Sequence, residues 1–468
     1  MADSVTGAPP RRWHAEFAWL ARGAAPDGLA RDVLIEAHGD RFTTVTPGAP
    51  AAQVPPGTVR LPGLTLPGLA NAHSHAFHRA LRGAAAGDTF WAWREQMYAV
   101  AERLDPDRYF ALARAVYAEM ALAGITCVGE FHYVHHGPGG IPYSDPNELG
   151  RLLIAAASAA GLRITLLDTC YLASGFAPGG AARPLAGVQL RFGDGTAAGW
   201  AERMAAFDCD PRGMIGGHAR LGAAIHSVRA VPPDQVPNVM AWSHAHGAPV
   251  HAHLSEQPLE NAECLAAFGG TPAEVLYEAG ALGPRSTMVH ATHLTPRDVE
   301  LLGRSQTAIC MCPVTEADLA DGIGPAPALA ASGSPLSLGS DGHSMIDLLE
   351  EARWMELSQR LATQRRGHFT PADLAVAATV SGHACLGWPD AGEIVPGAYA
   401  DLVTVPLAGP RLAGAGAGDP LAALFAAGTA ADIRHLVASG VDVVRDGRHL
   451  LVDDVPRELA AAVRAVLS

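Results

Sequence analysis

The sequence predicts an α/β fold: a (β/α)8 TIM-like barrel, with a small β-rich domain built from both chain ends. Three observations predict it. Eight short apolar runs between about residues 68 and 390 each end in polar residues. Helical patterns separate most of these runs, as strand–helix alternation in a barrel requires. Residues 1–67 and 391–468 carry short strand-like runs broken by Gly, Pro and Asp turns.

At the N-terminal end the strand-like runs are HAEFAWL, DVLIEA and RFTTVTPG. A similar texture returns in ADLVTVPL, IRHLVASGVDVVRDG and RHLLVDD, so the two ends are expected to pair into one small β-sandwich-like domain. GPRLAGAGAGDP (409–420) reads as a loop within it. The barrel runs, in order, are TLPGLANAHSH, ITCVGEFHY, RITLLDTCY, LGAAIHSVR, VHAHLSE, TMVHATH, AICMCPVTE and LSLGSDGH. Helices are expected over DPDRYFALARAVYAEMALAG and DPNELGRLLIAAASAAG, the second entered through an Asp145 or Asn147 cap. A barrel of this kind works at the C-terminal ends of its strands. The third run offers only Asp168 and Tyr171 there, and the others bring His, Glu, Asp or Arg.

Composition narrows the chemistry. With 33 basic and 47 acidic residues the chain carries a formal charge of −14, which disfavours a nucleic-acid or anionic-membrane surface. A small anionic substrate remains compatible if a few arginines reverse the field locally. Seven cysteines lie scattered without a CxxC pair, a pattern of reduced thiols. The start of the chain lacks a signal-type apolar segment and no run of about 18 uncharged apolar residues occurs, so a cytoplasmic location is expected. The sequence contains no lysine, which removes Schiff-base, P-loop and carbamylated metal-bridging lysines together.

The first barrel run ends in NAHSHAFHRALRG. His73 and His75, two residues apart on an extended segment, project to one side and can share a metal ion. The fifth run adds His253, with the Glu256 carboxylate three residues on, where it can sit beside a metal-bound water; His251 is expected to be packed core. The sixth run adds His290 at its strand end, taken as catalytic, and His293. The eighth places Asp341 after an apolar strand, with Gly339 allowing close approach. His-x-His, His-x-x-Glu, His and Asp on strands one, five, six and eight together point to one metal site.

In this order the chain resembles the amidohydrolase superfamily of metal-dependent barrels. The missing lysine excludes the carbamylated binuclear members. The resemblance therefore implies the mononuclear deaminase type, with one Zn2+ on His73, His75, His253 and Asp341; Fe2+ or Mn2+ also suits such ligands. HSHAFHRALRG, DTFWAWREQMY, EFHYVHH, IHSVRAV, VHATHL, TEADLADGI and EEARWMELSQR look like the pattern of the formimidoylglutamate deiminase family, the iminohydrolases of histidine degradation, over about residues 63–365.

That resemblance makes Arg94, Tyr133 and Arg229 substrate contacts, with His226 nearby, and implies a homodimer. Two guanidiniums suit the two carboxylates of N-formimino-L-glutamate, which they can bind bidentately. The chain departs from the family at three positions. His78 stands where Gln is usual and faces the expected substrate site; Asp318 replaces Asn and Gly342 replaces Ser. The implied reaction is hydrolysis of the formimino group to N-formyl-L-glutamate and ammonia. Asp341 accepts a proton from water, His290 stabilises the tetrahedral centre and Glu256 carries a proton to the leaving nitrogen. The competing readings are a related deaminase or hydrolase acting on a guanidine or a guanine- or triazine-like ring, and a catalytically silent barrel. Roles for His132, His135 and His136 stay open.

Overall fold

The computed structural model describes residues 10–20, 28–84, 89–207, 209–210 and 213–468. Eight parallel strands run in sequence order around a barrel: β5 (Leu69–Ser74), β6 (Ile125–His132), β7 (Arg163–Cys170), β9 (Ala219–Ile225), β10 (Val250–Leu254), β11 (Ser286–His290), β12 (Ala308–Met311) and β13 (Leu336–Leu338). Each coincides with one of the eight apolar runs. A two-residue strand, β8 (Met214–Ile215), pairs antiparallel at the edge of β9. The barrel closes by a parallel bridge from Ser74 to Asp341. The strand residues are buried almost throughout, as expected for parallel strands covered by helices.

The close approach at the seam explains Gly339. A Cβ built there would lie 2.7 Å from His73 Cβ and 3.0 Å from Cys310 Sγ, so any side chain would force the first and last strands apart. Asn71 ties the same seam, donating to Ser340 Oγ at 2.7 Å and accepting from Ser340 N at 2.9 Å.

A second sheet joins the chain ends in the order β17-β16-β15-β14-β4-β1-β2-β3. Its N-terminal strands are β1 (Arg11–Trp19), β2 (Leu29–His38), β3 (Arg41–Thr46) and β4 (Val59–Pro67); β14 (Leu402–Val405), β15 (His435–Ala438), β16 (Val441–Arg445) and β17 (Arg448–His449) complete it. β4 runs parallel to β1 and antiparallel to β14, so it is the splice between the two ends. Trp13, Ile35, Phe42, Leu61, Ile394 and Val437 form this sheet's own apolar cluster.

Two expectations need correction. RHLLVDD keeps only two residues in a strand; the chain then turns into a helix, Val455–Leu467, which Glu458 fastens to Arg114 on the barrel helix Pro106–Leu122 at 2.7 Å. The apolar positions of VPRELAAAVRAVL recur at helical spacing, so the C-terminus covers barrel rather than extending the sheet. Asp105 does cap Pro106–Leu122, accepting from Arg108 N at 2.8 Å. The helix Glu148–Ala159 has no side-chain cap of that kind. Asp145 instead accepts from Asn147 N, and the Asn147 amide is drawn away to the Arg203 carbonyl at 2.9 Å.

Candidate active site

β5 delivers His73 and places His75 just past its end; β10 delivers His253, and Asp341 follows β13. His73 Nε2 lies 3.2 Å from His253 Nε2 and 3.3 Å from Asp341 Oδ1, with His75 Nε2 3.5 Å from that oxygen. One ligand atom from each of the four falls within 4.8 Å of the others. Backbone carbonyls orient two of the rings: His75 Nδ1–H donates to Phe131 O and His253 Nδ1–H to His226 O, each at 2.9 Å. Both neutral rings therefore aim a bare Nε2 lone pair at the common centre.

Lone pairs and a carboxylate converging in a buried space suit a cation between them. Tetrahedral bonds of about 2.0–2.1 Å would space nitrogen ligands about 3.3 Å apart, close to the observed 3.2 Å between His73 and His253. The donor set fits one divalent ion. Burial pushes His73 down to about 3, which keeps its imidazole neutral and able to ligate. Burial acts to raise Asp341, but its bond to His73 and the surrounding imidazoles hold it well below the usual carboxylate range.

His290 ends β11 with Nε2 3.8 Å from Asp341 Oδ2 and 3.7 Å from Glu256 Oε1. Its Nδ1 lies 3.5 Å from Glu316 Oε1. Burial opposes its charge, yet Glu256, Glu316 and Asp341 together raise it well above the ordinary imidazole value. Glu256 accepts from Arg229 at 3.0 Å, and Arg229 Nε is 3.6 Å from Glu260. Glu260 in turn accepts the backbone N–H of Ser255 and of Glu256, fixing the turn that presents the Glu256 carboxylate. Several non-glycine residues of this rim have left-handed backbone: Ser255, His290, Ala291, Asp341 and His343. Such conformations cost about 1–3 kcal/mol each and persist where the surroundings over-determine them.

A cavity of about 380 Å3 opens onto the cluster at the C-terminal mouth of the barrel. The sequence-expected substrate residues His78, Arg94, Tyr133, His226 and Arg229 all line it, together with His75, His253, Glu256 and Asp341. Arg94 projects from the helix Phe90–Glu102 and stacks 4.5 Å above Trp91. Tyr133 follows β6, and its hydroxyl shares a 3.1 Å hydrogen bond with His78 Nε2. Across the described residues no helix is long and apolar enough to cross a membrane.

Residues 64–443 match the amidohydrolase family. The chain belongs to the amidohydrolase family. Among amidohydrolase relatives, it is 41% identical over 443 residues to formimidoylglutamate deiminase of Pseudomonas aeruginosa, covering 92% of this chain and 94% of that one. It is 31% identical to 8-oxoguanine deaminase of Pseudomonas aeruginosa, over 77% and 78% of the two chains. An amidohydrolase from Brucella melitensis superposes with a TM-score of 0.85 at 32% identity, covering 98% of this chain and all of that one. Chemistry in this amidohydrolase is accordingly metal-dependent, and its candidate metal group is the His/Asp cluster above.

The three departures fall in different places. His78 is buried on the cavity wall between His75, Trp93 and Tyr133. Asp318 ends the helix Pro313–Asp318 on the exposed surface and does not line the cavity. Gly342 donates its N–H to Thr315 Oγ1 at 3.1 Å, with room for a serine Cβ in ordinary contact.

His132, His135 and His136 lie outside the cavity, in a buried polar network between β6, β7 and the helices. His135 donates to Thr169 O and His136 bonds Asp194. His132, His135 and Asp168 could group around a cation. Asp168, however, already takes two bonds from Arg203 and one from Trp200.

Sequence reasoning missed Glu130, Glu260 and Glu316 as supports of the site. Glu130 and Glu316 stood inside the quoted EFHYVHH and TEADLADGI motifs, but nothing in their spacing tells which neighbours they hold.

Proposed function

We propose that this chain hydrolyses N-formimino-L-glutamate to N-formyl-L-glutamate and ammonia, through the barrel of residues 68–390. The observation that carries this reading is one cavity holding a His/Asp metal group beside guanidinium and phenol groups. The 41% identity to a formimidoylglutamate deiminase supports the substrate. His73, His75, His253 and Asp341 would hold one ion, with Zn2+ favoured by mixed imidazole and carboxylate donors. A bound Zn2+ supplies Lewis acidity and a lowered water pKa.

The protein's own groups do the rest. Asp341, kept ionised, accepts the proton of the attacking water. His290, kept protonated by three carboxylates, donates a hydrogen bond to the oxygen added at the formimino carbon as the tetrahedral centre forms. Glu256 carries a proton to the departing nitrogen, which leaves as ammonia. Arg94, Arg229 and Tyr133 hold the carboxylates so that the amidine lies over the cluster, with His78 and His226 packed alongside. A homodimeric, cytoplasmic enzyme belongs to the same proposal, and its mass in solution tests the dimer.

The test is incubation of zinc-loaded protein with N-formimino-L-glutamate, following ammonia and N-formyl-L-glutamate in equal amounts. Turnover of 8-oxoguanine with none of the linear amidine would overturn the substrate and favour a ring, which Trp91 and Trp93 on the same wall could stack.

A further inference from the structure

Three consecutive barrel strands, β11, β12 and β13, end side by side, paired in parallel through Val289 with Cys310 and Met311 with Leu338. Each brings one metal-binding side chain to that end: His290 closes β11, Cys312 follows β12 and Asp341 follows β13. One atom from each, an imidazole nitrogen, a thiol sulfur and a carboxylate oxygen, lies within 4.8 Å of the others. All three residues are buried, and Cys312 packs with Cys310, Ala72 and Val289 inside the barrel.

Two observations set this group apart from ordinary packing. Neither ring nitrogen of His290 has a hydrogen-bond partner among the described residues, although the ring is fully buried. Buried polar atoms are normally paired, so such a ring is open to a proton or a metal ion. Glu316 Oε1 lies 3.5 Å from its Nδ1 and accepts the Cys312 N–H at 2.9 Å. One carboxylate thus stands behind both the imidazole and the thiol-bearing residue, as carboxylates behind metal-bound imidazoles do. The second observation is the way Asp341 is turned. Its Oδ1 faces His73 and His75, whereas Oδ2 faces His290 Nε2 at 3.8 Å. A single carboxylate therefore offers one oxygen to each of two neighbouring positions.

We propose that His290, Cys312 and Asp341 form a second divalent-cation site, beside the group of His73, His75 and His253, that takes thiophilic ions such as Zn2+ and Co2+. Binding there forms a bond to the Cys312 sulfur and one to a His290 nitrogen. The thiol proton and one imidazole proton pass to solvent. Displacing protons makes this position weaker than the first. It also removes the proton that His290 donates in the proposed reaction, so a second ion should stop turnover; that consequence alone rests on the proposed function.

The experiment adds Co2+ to metal-free protein and follows bound metal together with near-ultraviolet absorption, where a thiolate bonded to Co2+ gives charge-transfer bands. The first ion should bind without such a band, and the second, weaker ion should bring it. Cys312→Ala should lose the band and hold one ion per chain in place of two. Cys310→Ala, which removes the neighbouring thiol, should keep both ions and the band. Failure of the wild type to take up a second ion, a second ion without the band, a band on the first ion, or a band that survives in Cys312→Ala each overturns the assignment. Matching melting temperatures of the metal-free proteins will show that the variants are folded. Ammonia release from N-formimino-L-glutamate is measured in parallel with Zn2+. The wild type should lose it as the second ion binds, and Cys312→Ala should retain it in the same excess. Undiminished turnover with both ions bound removes His290 from the site. A wild type that binds both ions as described but never releases ammonia sinks the functional reading alone.

Discussion

Ser74 donates its hydroxyl to Glu130 Oε2 at 2.7 Å, from the residue between His73 and His75 on β5 to the neighbouring strand β6. The other Glu130 oxygen accepts the N–H of Ala76, also at 2.7 Å. One buried carboxylate therefore grips both sides of His75 and sets the direction in which the His-x-His segment leaves the barrel.

Glu130→Gln keeps the shape but offers one acceptor oxygen where two donors converge. It should lower metal affinity by about 10–100-fold, as changes behind a ligand shell do, and stability by about 1–3 kcal/mol. Competition with a chelator of known affinity and thermal melting read the two effects separately. Unchanged metal affinity would reduce Glu130 to a packing role.

Asp321 gives a pH signature. It is buried, accepts from Gln257, and burial with the nearby carboxylates pushes it up from 3.8 to about 8. Its folded value lies above its unfolded one, so the native state holds a proton that the unfolded chain releases. This stabilising contribution is full below about pH 4 and is lost as pH rises towards 8. The melting temperature of the wild type relative to Asp321→Asn should therefore fall between pH 5 and 8. A constant difference would show that Asp321 does not titrate in that window.

Arg203 holds two buried carboxylates, Asp168 and Asp194, at 2.7 and 2.9 Å. Arg203→Ala leaves both without their cation and should destabilise by about 3–5 kcal/mol. Since the network lies outside the cavity, metal content per folded chain should not change. Loss of one bound metal equivalent would assign the His132, His135 and Asp168 group a ligand role.

Glu256→Gln should keep the metal and still bind substrate, because its side chain bonds Arg229 and contributes no atom to the four-ligand group. Turnover should fall by roughly 10²–10⁴-fold, the usual worth of a positioned proton carrier. Metal analysis and kcat on the same sample check both halves. Near-normal kcat would move the proton role elsewhere.

The barrel and its chemical residues were legible in the sequence for a local reason. Each strand is a short apolar run, and each chemical residue stands at its end, so His73, His75, His253, His290 and Asp341 could be listed by position alone. The lack of lysine removed the alternative chemistries equally directly. What holds those residues depends on side chains that meet only after the strands close. Glu130 to Ser74, Glu260 to the Glu256 amide, Glu316 to His290 and Gly339 against His73 join positions 4 to 266 residues apart in the chain, and periodicity carries no record of such pairings. The same holds for charge. Sequence makes Arg94 and Arg229 equal cations, whereas the fold pairs Arg229 with Glu256 and Glu260 and stacks Arg94 on Trp91, with both on the cavity wall. The C-terminal segment followed its helical spacing onto the barrel because the apolar face of Val455–Leu467 finds cover there. Local pattern determined which residues are strands, helices and candidate ligands; packing in three dimensions decided which side chains meet to hold them.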